Sequence, residues 1–279
     1  MRRDRLPSSV SGVAYNQVPD SENEIHGDEV AQRHGFKGGL VPGVTVSAYL
    51  CEPAVRSWGE HFLERGRSHI VVKKPLYDGG EFRVDVEDAS PGAYRARLLD
   101  AEGTVCAEGR IELPDDAGEP PIRRRDRRKE KGAPRPPATA ETFERLREVG
   151  MCSLPSSWGP DSEMATIYRD PAAMHELLRH PPDGVRGDGW ANMAFVLGMT
   201  NWHLAANVKL GPWLHLQTDC QCFSMIESGA KLVVEGAVVD LFERKGHRFV
   251  DVDVAAFRRE DSSPVMATRL RAIYQLRGG

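Results

Sequence analysis

The stretch DSENEIHGDEVAQRHGFKGGLVPGV, residues 20–44, sets an asparagine, a histidine and several carboxylates ahead of a glycine-rich turn. After His26, the segment GDEVAQRHGF predicts a short helix. Asp28 and Glu29 suit its first turn, where the macrodipole favours carboxylates, and Gly35 suits its C-terminal cap. Gly38-Gly39 then lead into VTVSAYLCEPAVRSWGEHFLERG (44–66). Apolar residues there recur at three and four (Val46, Leu50, Ala54, Trp58, Phe62), which predicts a long helix kinked or broken at Pro53. Pro42 is placed as a helix-starting proline. Gly43 has no side chain, so a ligand can approach its N–H at the positive helix end.

Downstream, SHIVVKKPLY, GEFRVDVEDA, AYRARLLDAEG and TVCAEGRIEL alternate as strands, punctuated at Gly79-Gly80, Pro91-Gly92 and Glu102-Gly103. The same order recurs later. WANMAFVLGMTNWHLAANVKLG (190–211) is apolar nearly all round, as a buried helix must be. Four strand-like runs follow, beginning PWLHL, AKLVV, HRFVD and PVMAT. One helix and a run of antiparallel strands in each half make an α+β chain, whose two sheets are expected to join edge to edge. Between the halves, residues 114–142 are rich in Pro and Arg and poor in apolar side chains, which predicts a disordered, exposed linker. The expected units are therefore 1–113, the linker 114–142, and 143–279.

Bulk properties narrow the classes. The chain has 279 residues, 40% hydrophobic and 28% charged, with net charge −4. That balance predicts neither nucleic acid nor an anionic membrane as partner. No apolar run reaches the length of a span, and no signal core follows the basic N-terminus, so a cytoplasmic protein is expected. Asp126 and Glu130 interrupt the basic run 123–131 and no aromatics interleave it, so it is a solvated linker. Five cysteines in no framework spacing predict free thiols, Cys220 and Cys222 included, and no metal site.

The residues NEIHGDEVA, followed by GFKGGLVPGV entering the long helix, resemble the MaoC-like group of hotdog-fold proteins: R-specific enoyl-CoA hydratases and 3-hydroxyacyl-thioester dehydratases. The resemblance implies a tandem, or double, hotdog, each half an antiparallel sheet wrapped around a long central helix. It implies an acyl-CoA or acyl-carrier thioester as substrate, no cofactor beyond the CoA or phosphopantetheine arm that the substrate carries, and leaves a homodimer open. On the motif, His26 is the catalytic general acid/base and Asn23 the motif Asn. Gly43 is the oxyanion donor, flanked in the substrate site by Pro42 and Val44. Ser21 stands where the motif has Asp, and serine cannot take a proton from water near neutral pH. Asp20 is one residue away, and Glu22 and Glu24 are further candidates to replace the lost carboxylate.

The second half lacks this motif and is expected to be the degenerate partner. His175 and His180 are read as structural or surface residues, His203 as a hydrogen-bonded core residue, and Asp188 either as an N-cap beside Asn192 at the helix start or as a thioesterase-like carboxylate. Met193, Phe195 and Trp202 are placed either in an acyl tunnel or in plain core. A hydratase or dehydratase is the leading expectation. A hotdog thioesterase with a carboxylate-activated water and a non-catalytic acyl-thioester-binding protein are the alternatives.

Overall fold

The computed structural model describes residues 5–124, 127–128, 130, 132–159, 161–168 and 189–277. Ten strands are formed: β1 Ser9–Val13, β2 Arg67–Val72, β3 Glu81–Ser90, β4 Ala93–Asp100, β5 Val105–Glu112, β6 Leu154–Ser157, β7 Leu214–Cys222, β8 Lys231–Arg244, β9 His247–Arg258 and β10 Pro264–Gln275. They make one antiparallel sheet in the order β1-β3-β4-β5-β2-β7-β10-β9-β8-β6. From its centre, the first half runs β2-β5-β4-β3-β1 and the second β7-β10-β9-β8-β6. The halves are thus related by a pseudo-two-fold at the β2–β7 pair, where Arg67–Val71 faces Gln221–Gln217. This is the tandem arrangement that the resemblance implies, with the two sheets joined edge to edge. All eight strands predicted from alternation are present. The short edge strands β1 and β6 were not predicted.

Two long helices lie on the inner face of this sheet and pack against each other. The first, α2 (Gly43–Trp58), follows α1 (Asp28–Arg33) and a 3₁₀ turn at Glu24–His26. It does not break at Pro53. The ring removes one backbone donor, and the buried Tyr94 hydroxyl repairs the turn beside it. Tyr94 Oη accepts from Ala54 N (3.2 Å) and donates to Leu50 O (2.8 Å), standing in the i to i−4 bond between those residues. The helix stops instead at Gly59, whose φ of +55° only glycine adopts cheaply, and α3 (Glu60–Arg65) follows. In the second half, α4 (Ala140–Val149) and α5 (Glu163–Ile167) precede the central α6 (Met193–Asn207). His175, His180 and Asp188 lie outside the described residues.

The expected free linker is seated instead. Glu235 on β8 is only 3% exposed, and a carboxylate buried so deeply needs a partner. Arg123 supplies it: its Nε lies 2.8 Å from Glu235 Oε1, the Arg124 amide donates to Oε2 (2.7 Å), and the guanidinium stacks over Phe257. Farther on, Lys209 donates from N to Pro136 O (2.7 Å) and accepts at O from Ala138 N (3.0 Å). α4 starts within the same segment, capped by Thr139 and anchored by Phe143 against Tyr274. All five cysteines are free thiols. Among the described residues, no group of His, Cys, Asp and Glu is placed to hold a metal, and no helix is long and apolar enough to cross a membrane.

Tyr94→Phe leaves the Ala54 amide and the Leu50 carbonyl unpaired in the core. It is expected to cost about 1–3 kcal/mol, read as a lower urea midpoint at unchanged slope.

Candidate active site

Leu40 opens the approach to α2, and its carbonyl accepts a hydrogen bond from His26 Nδ1 (2.6 Å). A carbonyl can only accept, so Nδ1 carries the proton and Nε2 keeps its lone pair. On the other side of the ring, Asn23 Nδ2 donates to Nε2 (3.2 Å). The backbone of Trp213 fixes the orientation of that amide: Trp213 N donates to Asn23 Oδ1 (3.1 Å), and Asn23 Nδ2 donates to Trp213 O (3.2 Å). The second half therefore sets the amide that faces the first half's histidine. Burial lowers the His26 pKa below 6.5, and the Leu40 carbonyl opposes it. The ring is neutral at neutral pH.

Three local contacts hold this turn in place. Asn16 Nδ2 donates to His26 O (2.8 Å). The Asp28 carboxylate accepts from Gly39 N (2.7 Å) and so ties the glycine turn to α1. Gly39 passes so close to the turn that a Cβ there would sit 2.1 Å from His26 O, so position 39 admits no side chain. Beneath the turn, Ile25 and Leu40 pack with Phe249, Ile273 and Leu276 of the second half.

His26, Asn23 and Gly43 converge on one cleft of about 120 Å³. Ile25, Phe36, Leu40 and Val46 contribute from the first half, and Trp213, Leu214 and Leu216 from the second. No side chain caps the first turn of α2, and the Gly43 amide has no intrahelical acceptor. Lys73 and Lys74 are exposed at the same cleft; Lys73 pairs with Glu108 (2.5 Å), and Lys74 has no ion pair among the described residues. Among the described residues, no Asp or Glu lines the cleft.

The other predicted site residues stand apart. Ser21 directs its hydroxyl to Asn23 O (3.4 Å), and Asp20 is exposed; neither lines the cleft. Glu22 is bound to Arg135 of the linker (2.8 Å), whose guanidinium also lowers its pKa, and Glu24 is exposed. None of them replaces the missing carboxylate in the cleft. Pro42 caps α2, Val44 is core, and only Gly43 of the three reaches the cleft. Met193 and Phe195 are buried core and Trp202 packs on that core, and none of them lines this cleft.

Sequence reasoning missed Asn201 on α6 and His215 on β7, which line the cleft from the second half. No spacing signals them, because α2 meets them only through the β2–β7 seam. His215 is packed so tightly on Gly43 that a Cβ at 43 would lie 2.9 Å from its Cβ and its carbonyl. Burial lowers its pKa to about 3. His203 is core as expected, but neither ring nitrogen has a hydrogen-bond partner, and burial lowers its pKa to about 4. In the second half the corresponding helix start is sealed: Asn192 Oδ1 accepts from Phe195 N (3.0 Å), Asn192 Nδ2 donates to Tyr168 O (2.8 Å), and Trp158 packs on Phe195.

No protein-family model matches the sequence, and no curated protein matches it. Solved structures do. Over 96% of both chains, the fold is similar to that of a conserved hypothetical protein from Mycobacterium tuberculosis described as a double hotdog (13% identity, TM-score 0.59). A protein from Chloroflexus aurantiacus described as a MaoC domain dehydratase aligns over 98% of this chain and 96% of its own (10% identity, TM-score 0.56). One from Lactobacillus plantarum described as an oleoyl thioesterase aligns over 96% of both (10% identity, TM-score 0.53). At such identities the likeness establishes the fold.

Three buried histidines held neutral make stability pH-dependent. Unfolded histidine titrates near 6.5 (about that value in model peptides), whereas burial depresses all three in the folded state. The unfolded chain therefore takes up protons first. The stabilisation is complete above that value and is lost as pH falls through the folded values of about 4 for His203 and about 3 for His215. Unfolding free energy should fall by about 1.4 kcal/mol per pH unit for each histidine across that window. His203→Leu should lower the slope at pH 5–6 by one proton.

Proposed function

We propose that this double-hotdog chain is an acyl-thioester hydratase or dehydratase of the enoyl type that works with one base, His26. The observation that carries the reading is the neutral His26 ring. Its proton-accepting Nε2 faces a cleft that also holds the uncapped start of α2, and among the described residues no carboxylate lines that cleft.

Water enters as the His26 ring moves off the Asn23 amide, which otherwise stands 3.2 Å away; it donates one hydrogen to Nε2 and accepts one from Nδ2. Trp213 keeps the amide in place throughout this exchange. As the water oxygen attacks C3 of the enoyl thioester, Nε2 takes its proton. Charge moves onto the thioester oxygen, where the Gly43 N–H and the positive helix end stabilise the enolate. Nε2–H then returns a proton to C2 from the same face, and dehydration is the reverse. The lowered pKa keeps the base unprotonated at neutral pH, as a general base requires. The exposed Lys73 and Lys74 lie where a phosphate-bearing CoA or phosphopantetheine arm would leave the cleft.

A hotdog thioesterase is the second reading, supported by the thioesterase description of one structural neighbour. Among the described residues this cleft offers no carboxylate to activate a water, which favours the hydratase.

The test is incubation with short trans-2-enoyl-CoA thioesters, following loss of the enoyl chromophore and release of free thiol together. Hydration is expected. His26→Gln should lower kcat/KM by about 10²–10⁴-fold. The wild-type profile should fall on the acid side through a single protonation below pH 6.5, the direction set by the lowered His26 pKa. Thiol release without hydration would replace the reading with a thioesterase, and neither activity would leave a binding protein.

A further inference from the structure

The cleft has a second polar pole that the one-base chemistry leaves unused. Thr218 is fully buried, and its hydroxyl meets one partner, His215 Nε2. A hydroxyl that accepted from Nε2–H would leave its own proton unbonded in the core, so Thr218 donates and Nε2 accepts. The ring is neutral, and its proton is therefore on Nδ1. That proton is donated to the side-chain oxygen of Asn201, 2.8 Å away. The chain Thr218, His215, Asn201 thus fixes which end of the amide is which. The Asn201 oxygen is held by the ring, with the Thr200 hydroxyl 3.4 Å away. Among the described residues the Asn201 Nδ2 has no acceptor, and Asn201 lines the cleft together with Val46, Leu214 and Leu216.

We infer that Asn201 is a substrate-contacting residue whose free amide N–H₂ recognises an acceptor oxygen on the acyl group, so the substrate is a short, oxygen-bearing acyl thioester. The inference rests on the acyl-thioester reading of the cleft and adds its specificity. Three features point the same way. An amide whose oxygen is locked by a neutral histidine presents donors only, which select a carbonyl or hydroxyl oxygen. A donor that the bound acyl group shields from water and leaves unpaired penalises an acyl group that brings no acceptor. The cleft volume, about 120 Å³, is small and suits a short acyl group. With Gly43 on the thioester carbonyl and His26 serving C2 and C3, the positions left for such an acceptor begin at C4 and C5.

Equilibrium binding of saturated, unreactive thioesters tests this without chemistry. The probes are butanoyl-CoA, 4-hydroxybutanoyl-CoA and 4-oxopentanoyl-CoA, measured by calorimetry on wild type, Asn201→Leu and Asn201→Asp, each checked for folding by circular dichroism. Wild type is expected to bind at least one oxygenated thioester about tenfold or more tighter than butanoyl-CoA. The ratio should collapse toward one in Asn201→Leu. It should collapse as well in the isosteric Asn201→Asp, which offers acceptors in place of donors. Equal affinities in wild type, or a preference that survives both substitutions, would overturn the inference and leave the acyl-thioester reading standing. Absence of binding by all three thioesters would overturn both.

Discussion

The pairing of β2 with β7 is the contact on which everything else hangs. Five residues of each strand are in register across it. In a single half, β2 and β7 would each be an open edge, and unpaired strand edges invite uncontrolled association. Joining them in one chain removes both edges and brings the two central helices side by side. The seam also delivers β7 and its preceding loop to the start of α2. His215 then lies against Gly43, and Trp213 against Asn23. The glycine at 43 is a requirement of that closeness as much as of any ligand.

The two halves share a topology and differ in what happens at the helix entrance. In the first, Pro42 leads into α2 with no side-chain cap, and the amide end opens on a cleft. In the second, Asn192 closes the first turn of α6 on both sides and aromatic side chains fill the space around it. An uncapped helix start forgoes about 1 kcal/mol of capping stabilisation. The first half accepts that cost where a ligand oxygen can take the cap's place.

Most of the architecture was legible because strand alternation and helix periodicity are local. The eight long strands stood out through their regular inward apolar residues. β1 (SVSGV) is short and half polar, and β6 (LPSS) carries a proline that only an edge position tolerates, so neither has a pattern to find. The linker misled for a different reason. Its composition is that of a solvated segment, yet Glu235 offers one buried charge that an arginine must meet, and a single strong pair is invisible to composition. The candidate site was legible at His26, Asn23 and Gly43, which a short motif links. Ser21 and Asp20 adjoin the motif in sequence, yet the turn directs them away from the cleft. Asn201 and His215 had no local signal, because only tertiary pairing turns two ordinary positions into a hydrogen-bonded chain.

The protonation state of His26 depends on the partner half. His26 stays neutral because it is desolvated, and the desolvation comes from apolar packing beneath its turn. Phe249, Ile273 and Leu276, which provide that packing, belong to the second half. The amide facing Nε2 is oriented by the second half's backbone as well. A lone first half would keep every residue of the motif. It would lose the burial that lowers the histidine's pKa and the pair of bonds that aim Asn23. The second half carries none of the motif, yet it sets the electrostatic state of His26.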